Sequence, residues 1–229
     1  MKSHQTPVAV ILSKKPLWYE VDPNRRVLNG AAYLRLKRCT DVVLGTVLVF
    51  LTSPIVLLCI LAIKLESSGP VLFVQQRTGQ GGRLFKMYKL RTMVQDAASL
   101  KTKYRHLNTH TFPDFKIRND PRITRIGRFL RRTSLDELPQ LVNVILGDMS
   151  LVGPRPTSFS ASTYDLWQTA RLEVKPGITG LWQISGRCNI DFSDRIRLDI
   201  AYMRNRSFWL DLRILFRTLI CVIRGEGAE

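Results

Sequence analysis

An uncharged run of 22 residues, Val42 to Ile63, constrains this chain more than any other feature of its sequence. Asp41 and Lys64 bound the run on either side. As an α-helix it would be roughly 33 Å long at 1.5 Å per residue, which is enough to cross the hydrocarbon core of a bilayer. We therefore expect a membrane element followed by one domain of ordinary size.

Ser53 and Pro54 lie at the middle of this run. Pro54 has no N–H for the carbonyl of Phe50, and its ring clashes there, so the helix must kink, while the Ser53 hydroxyl could satisfy the freed carbonyl. Basic residues flank the run on both sides, and the positive-inside tendency favours keeping both flanks in the cytoplasm. Two interpretations stay open on these features alone: a helix that enters, breaks at Pro54 and returns, or a kinked anchor that crosses.

The charge balance indicates anionic partners. The chain has 35 lysines and arginines against 18 acidic residues, a formal net charge of +17. Nucleic acid, anionic lipid and phosphorylated substrates all fit this excess, and charge alone does not choose among them. The four cysteines show no metal-ligand spacing, which favours a reduced, cytoplasm-facing catalytic part.

We divide the chain into an N-terminal tail (1–32), the membrane helix (33–66) and a catalytic domain (67–229). Val71 to Gln76 and Leu84 to Leu90 are predicted to pair as a β-hairpin across a glycine-containing turn. The glycines match neither a Walker loop nor a dinucleotide loop, so turn chemistry is the favoured explanation. Residues 96–119 are polar and predict a loop or a short helix.

Two basic amphipathic helices are predicted further along the chain. The first begins at Asp120 and Pro121 and carries arginines at 122, 125, 128 and 132. The second covers Asn205 to Arg224. Each could be a helix with a solvated charged face or a helix lying on anionic lipid. The membrane segment upstream favours the lipid for the first helix, and both alternatives stay open for the second.

Asp136 and Glu137 stand together at a predicted helix start. Pro139 is tolerated only in a first turn, so the helix should begin near Asp136, and Ser134 with Glu137 fits a capping box. Acidic residues are common in first turns for structural reasons alone. The functional alternative is a reactive carboxylate pair, because the same free N–H groups can also bind phosphate.

Arginines close to this pair favour phosphate chemistry. Arg131 and Arg132 precede it, and Arg155 follows it between two prolines that fix the backbone. A rigidly mounted guanidinium suits a bidentate phosphate contact, although a plain surface turn also explains the prolines. A bound pyrophosphate would need such cations, or a divalent metal, to offset its charge beside two carboxylates.

Six motifs follow one another in a fixed order: Lys37-Arg38-Cys39-Thr40-Asp41, Ser53-Pro54, Phe85-Lys86-Met87-Tyr88-Lys89-Leu90-Arg91-Thr92-Met93, Ser134-Leu135-Asp136-Glu137-Leu138-Pro139-Gln140-Leu141, Gly147-Asp148-Met149-Ser150-Leu151-Val152-Gly153-Pro154-Arg155-Pro156 and Pro176-Gly177-Ile178-Thr179-Gly180. From about residue 33 onwards the chain resembles the monotopic phosphoglycosyl transferases, a group of bacterial sugar transferases. It is most similar to small members that start exopolysaccharide synthesis.

The resemblance implies an α+β, mainly helical fold. It has a re-entrant helix broken at Ser53-Pro54, interfacial helices and a small catalytic domain with a short β-hairpin. It also implies a two-step transfer that requires Mg²⁺. Asp136 would attack the sugar-linked phosphorus of a UDP-hexose and take part in metal binding, and Glu137 would act as base or assist the metal.

The remaining site assignments concern substrate and phosphate. Arg131 and Arg155 match positions expected to hold phosphate, and Asp199 matches an acidic position of functional importance. We assign Lys86 and Lys89 to substrate or phosphate binding as well.

The expected partners are a UDP-hexose, undecaprenyl phosphate and an anionic bilayer, with the catalytic domain on the cytoplasmic face of the bacterial inner membrane. A homodimer is one candidate for the oligomeric state, which the sequence does not determine. The rival class is a membrane-anchored basic module that binds nucleic acid or lipid without catalysis. No nucleic-acid partner is expected, because the sequence lacks aromatic–basic interleaving and any known DNA-binding pattern.

Overall fold

The computed structural model describes residues 30–108, 117–159, 161–185 and 190–224. Almost all of the predicted N-terminal tail lies outside these ranges. The described chain is mainly helical and contains two small two-stranded sheets, which confirms the predicted fold class at this level.

The helices, in chain order, are α1 (Ala31–Glu66), α2 (Leu100–Lys103), α3 (Arg125–Thr133), α4 (Gln140–Leu146), α5 (Leu181–Ser185), α6 (Phe192–Asn205) and α7 (Phe208–Ile223). The strands are β1 (Leu72–Thr78), β2 (Leu84–Leu90), β3 (Ser150–Val152) and β4 (Gly177–Thr179). Short 3₁₀ segments connect several of these elements, including Leu135–Glu137 between α3 and α4.

Helix α1 is the long apolar element. Among the described residues it is the helix long and apolar enough to cross a membrane, and only 11 % of its most apolar stretch is buried within the protein. The backbone stays helical through Pro54, and the Ser53 hydroxyl donates to the Phe50 carbonyl at 2.8 Å. This bond confirms the predicted local compensation for the missing N–H, while a return of the chain at this point stays a prediction.

Both ends of α1 contact the same domain. Near its start, Asp41 is buried and accepts a hydrogen bond from the backbone N–H of Leu151 in β3. Near its end, Ile63 packs in an apolar cluster with Leu90 and Leu130. Glu66 is the last residue of α1, and its carboxylate accepts hydrogen bonds from the first two N–H groups of α3. The part of the chain that follows α1 therefore contacts this helix on both sides of its exposed apolar middle.

The β-hairpin is confirmed. Strands β1 and β2 pair antiparallel with Leu72 opposite Leu90 and Thr78 opposite Leu84, and the second strand has the predicted bounds. The first strand is one residue later at its start and two longer at its end than predicted. Its added end carries Arg77, which the sequence assigned to the turn.

The main core forms where β2, α4, β3, α5, α6 and α7 meet. Its fully buried members include Val144, Met149, Leu181, Leu198 and Ile214. Strands β3 and β4 pair in parallel at its centre, and the sequence analysis missed this pair. Three-residue strands are too short to show the alternation of apolar and polar residues from which strands are predicted.

Three helix boundaries differ from prediction. Helix α3 is capped by the Thr124 hydroxyl and begins at Arg125, because Asp120 is taken up in a buried ion pair with Arg122. The last helix does not begin at Asn205: α6 ends there, and the Ser207 side chain caps α7. A capping residue is effective only where the tertiary fold leaves its side chain free to turn back.

The third correction concerns the segment of the acidic pair. The predicted capping box of Ser134 and Glu137 is wrong: Ser134 adopts a left-handed conformation at the end of α3 and makes no side-chain cap. Asp136 and Glu137 lie in a 3₁₀ turn, and the regular helix starts later, at Gln140.

Candidate active site

The acidic pair lies on a sharp connection between α3 and α4. Ser134, with φ of 58°, reverses the chain directly after α3, and the 3₁₀ turn that follows presents both carboxylates. Asp136 is buried, with 7 % of the residue exposed. The reversal places the pair beside the hairpin strand β2 and the loop that follows β3.

Glu137 is held by two cations. Its Oε1 lies 2.6 Å from Lys89 Nζ, and the Arg155 guanidinium donates to both of its carboxylate oxygens. Burial alone would raise the pKa of Glu137, but Arg155 and Lys89 outweigh it and hold that pKa well below its ordinary value. Glu137 is therefore an ionised anchor for both cations.

Asp136 is placed differently. Its Oδ2 lies 3.8 Å from Lys89 Nζ, beyond hydrogen-bond distance. Burial raises the pKa of Asp136; Lys89 opposes the shift and the negative charge of Glu137 adds to it. The two neighbouring carboxylates thus have pKa values shifted in opposite directions, an arrangement typical of functional sites.

Arg131 reaches the site from the last turn of α3. Its Nε donates to the Thr92 hydroxyl at 3.0 Å. Burial lowers the pKa of Arg131, and the nearby Asp136 carboxylate counteracts that effect. The close approach of α3 to the Thr92 backbone requires Gly127, because a methyl group at this position would overlap the Thr92 carbonyl oxygen.

The hairpin brings one of the two predicted lysines to the site. Lys89 contacts the carboxylates, whereas the exposed Lys86, three residues away, points to the opposite face of β2. A substrate contact for Lys86 stays a prediction. Arg77 lies opposite Phe85 in the register and so shares the face of Lys89. Burial and the positive charge of Arg155 lower the pKa of Arg77 to about 10, so it also belongs to this site.

An open cleft of about 170 Å³ lies beside Arg155. Its walls carry arginines and aromatic rings together: Arg77, Arg155, Arg171, Arg195, Phe159, Trp182 and Phe192. The cleft suits a ligand that combines phosphate with a planar ring.

Asp199 is among the residues that line the cleft. It forms a buried ion pair with Arg171 at 2.7 Å, and Arg171 also donates to the Arg155 carbonyl at 2.6 Å. Asp199 is therefore linked to the site through the backbone that carries Arg155. Sequence reasoning missed Arg171, since nothing in the local pattern separates it from other arginines.

The acidic pair fits Mg²⁺ only together with a substrate. Among the described residues there is no group of three or more His, Cys, Asp and Glu side chains that could hold a metal. Mg²⁺ commonly uses one or two carboxylates, waters and substrate phosphates, and Asp136 supplies one carboxylate that is not hydrogen-bonded to Lys89. The donor set is compatible with a metal that arrives with a diphosphate.

Comparison with known proteins agrees with this chemistry. A family model described as bacterial sugar transferase matches residues 32–225. The undecaprenyl-phosphate galactose phosphotransferase of Salmonella typhimurium is 43 % identical over 84 % of this chain and 41 % of its own length. The UDP-glucose:undecaprenyl-phosphate glucose-1-phosphate transferase of Escherichia coli is 41 % identical over 84 % and 41 %, respectively.

The chain spans less than half the length of both of these transferases. A third relative, the exopolysaccharide production protein ExoY of Rhizobium meliloti, is 39 % identical over 88 % of this chain and 90 % of its own length. The family match covers α1 from its second residue onwards, the acidic pair and α7. The chain belongs to the bacterial sugar transferase family.

Proposed function

We propose that this protein transfers a hexose-1-phosphate from a UDP-hexose to undecaprenyl phosphate, the first step in building an exopolysaccharide or a related glycan. The observation that carries the proposal is the pair of carboxylates with opposed pKa shifts beside Arg155, Arg131 and Lys89. The names of the relatives supply the substrate classes.

In the first step a carboxylate oxygen of Asp136 attacks the phosphorus bonded to the sugar. The bond from that phosphorus to the bridging oxygen breaks, and UMP leaves with the electron pair. The hexose phosphate is then an acyl phosphate on Asp136. In the second step an oxygen of undecaprenyl phosphate attacks the same phosphorus and Asp136 leaves as a carboxylate. Covalent catalysis lets one site serve a soluble and a lipid substrate in turn.

Glu137 has a different task in this scheme. Both nucleophiles, the Asp136 carboxylate and the lipid phosphate, are anions already, so neither needs a base to remove a proton. The ion pairs with Arg155 and Lys89 also depress the pKa of Glu137, which makes it a weak proton acceptor. We therefore assign Glu137 the role of holding the two cations where phosphate charge develops.

The donor substrate would lie in the cleft beside Arg155. Arg155 and Arg77 supply positive charge for a diphosphate, and Trp182 and Phe192 supply aromatic faces for a base. Bound Mg²⁺ would neutralise part of the diphosphate charge and polarise its phosphorus–oxygen bonds. Asp136 is the residue we assign to that metal, with the phosphates as its other ligands.

The membrane position follows from α1. The domain contacts α1 before and after its exposed apolar middle, which supports a helix that enters the bilayer and returns on the same side. We place that domain on the cytoplasmic face of the inner membrane, because the chain is strongly basic.

The decisive test uses purified protein in lipid with UDP-galactose or UDP-glucose and undecaprenyl phosphate. Wild type should release UMP, and chelation with EDTA should stop the release until Mg²⁺ is added back. Asp136→Asn should abolish release and prevent any phosphosugar adduct on the protein, detected by intact mass. Glu137→Gln should slow release severely, since Arg155 and Lys89 lose their anionic partner.

Asp96→Asn is the matched control, because Asp96 is exposed and lies outside the site. It should behave as wild type in both assays. Normal turnover by the Asp136→Asn protein would refute the covalent mechanism, and a wild-type protein inactive with every UDP-hexose would refute the substrate class.

A further inference from the structure

Early in α1, polar side chains face the catalytic domain instead of the membrane. Lys37, Arg38 and Asp41 lie within little more than one helical turn, and Lys37 and Asp41 share a face at a spacing of i and i+4. Asp41 is 5 % exposed and Lys37 is half-buried. Buried charges are costly unless they are paired, so their partners indicate what they do.

Two of the three side chains bind β3. The Asp41 carboxylate accepts from the Leu151 N–H at 2.9 Å and from the Ser150 hydroxyl at 3.0 Å. Lys37 Nζ donates to the Val152 carbonyl at 3.0 Å and is neutralised by an ion pair with Asp211 at 2.8 Å. The membrane helix thus holds every residue of the strand that leads to Arg155.

The third side chain binds α4. The Arg38 guanidinium donates to the carbonyls of Val144 at 2.6 Å and Ile145 at 2.7 Å. Both carbonyls belong to the last turn of α4, and that of Val144 also accepts the Gly147 N–H at 3.1 Å. α4 begins three residues after Glu137.

The ion pair between Glu137 and Arg155 therefore joins two elements that are each tied to α1. Glu137 stands just before α4, and Arg155 stands just after β3. A small shift of α4 against β3 would separate the two side chains, because each is mounted on a short, stiff connection. The contacts from α1 oppose such a shift.

We propose that Lys37, Arg38 and Asp41 are positioning residues for the transfer reaction. Their contacts fix the position of α4 relative to β3. The Glu137–Arg155 pair and the phosphate site therefore form only when α1 is packed against the domain. This inference rests on the proposed function. Its competitor is that these charges act only on membrane orientation, through the positive-inside tendency.

Arg38→Lys separates the two explanations, because it keeps the positive charge and loses the double contact to adjacent carbonyls. We expect kcat for UMP release to fall on the order of tenfold to a hundredfold, with a smaller change in KM, since misplacement acts mainly on the transition state. Membrane orientation, measured with an impermeant thiol reagent, should not change.

Arg35→Gln is the matched control. Arg35 is exposed on the same helix, less than a turn away, so this variant removes a charge without disturbing β3 or α4. It should keep the kcat of wild type. A wild-type kcat in Arg38→Lys, or an equal loss in both variants, would overturn the positioning role.

A second variant gives a readout that does not depend on turnover. Asp41→Ala removes the carboxylate that accepts the Leu151 N–H, so hydrogen exchange at Leu151 should become faster, while exchange in β1 stays as in wild type. Unchanged exchange at Leu151 would overturn the inference. If wild type releases no UMP with any UDP-hexose, the proposed function fails, and the exchange result still decides whether α1 holds β3.

Discussion

At the scale of single residues, the site depends on the two ion pairs of the Glu137 carboxylate, one with Lys89 and one with Arg155. Lys89 comes from β2 and Arg155 from the loop after β3, so one side chain joins two separate parts of the domain. Charge-assisted contacts of this kind are stronger than neutral hydrogen bonds. Removing one partner leaves a buried charge uncompensated, which is why substitutions here should cost more than a lost surface ion pair.

Arg155 should be the most sensitive of the arginines. Arg155→Ala should lower kcat by the equivalent of roughly 2–4 kcal/mol, the range for loss of one preorganised donor. Arg155→Lys should recover only part of the activity, because one ammonium cannot reproduce a planar fork. The rate of UMP release measures the activity of both variants. Arg83→Ala, at an exposed residue, serves as the control. Full activity in Arg155→Lys would mean that Arg155 contributes bulk charge only.

Asp199 should make stability depend on pH in an unusual direction. Burial raises its pKa to about 6, although Arg171 opposes the shift. An unfolded aspartate has a pKa near 3.9, so between these values the folded state binds a proton that the unfolded state has released. The stability from that proton is present below about pH 4 and is lost as the pH rises through 6.

The measurement is the free energy of unfolding against pH for wild type and Asp199→Asn. The wild-type value minus the variant value should fall by roughly 2 kcal/mol between pH 4 and 7, since most of the effect of a shift of about two pKa units falls within that range. The contributions of other carboxylates cancel in this difference. Parallel curves would show that Asp199 keeps an ordinary pKa.

At the scale of elements, the sequence predicts what depends on local pattern. The apolar run from Val42 to Ile63 predicts α1. The composition of Leu84–Leu90 and the turn before it predict the hairpin. Starts of helices were less predictable, because they depend on which capping side chain is free. Asp120 is the best local cap but is bound to Arg122, so Thr124 takes its place.

The candidate site also contains some residues that the local sequence predicts and others that it does not. Asp136, Glu137 and Arg155 could be predicted, since adjacent carboxylates and a proline-flanked arginine stand out locally. Arg77 and Arg171 could not, because their roles arise from strand register and from a buried ion pair across the fold. Lys86 shows the converse: it lies in the right motif but on the opposite face of β2.

The membrane element allows a direct test. Replacing Ser53-Pro54 with Leu-Ala restores the missing N–H, so α1 should straighten into a true span. The basic flank would then have to cross against the positive-inside tendency, and we expect mixed orientations and lower activity. The measurement is labelling of a single cysteine near residue 10, in a cysteine-free background, by an impermeant thiol reagent on intact cells.

With Ser53-Pro54 in place, that cysteine should react only after the membrane is opened. A cysteine placed at the exposed Arg83 is the control for a residue in the catalytic domain and should behave in the same way. Labelling of residue 10 from outside intact cells would establish a crossing helix and end the re-entrant proposal.

At the scale of the whole molecule, two helices present apolar side chains outwards. Phe50 and Leu51 of α1 are 78 % and 69 % exposed, and Trp209 and Phe216 of α7 are 70 % and 67 % exposed. Exposed apolar surface on a chain with a net charge of +17 is suited to an anionic bilayer surface. The charged site and the exposed apolar helices thus belong to one body, which suits a position at a boundary between lipid and water.

The exposed apolar middle of α1 has a kinetic consequence. A protein anchored in the lipid phase meets its lipid acceptor in two dimensions, so the rate should follow the mole fraction of undecaprenyl phosphate in the bilayer and not its amount per volume of solution. Adding inert phospholipid at fixed protein and acceptor should slow UMP release by surface dilution. The KM for the water-soluble UDP-hexose should stay constant in the same series, and a rate indifferent to dilution would mean that the acceptor is taken from solution.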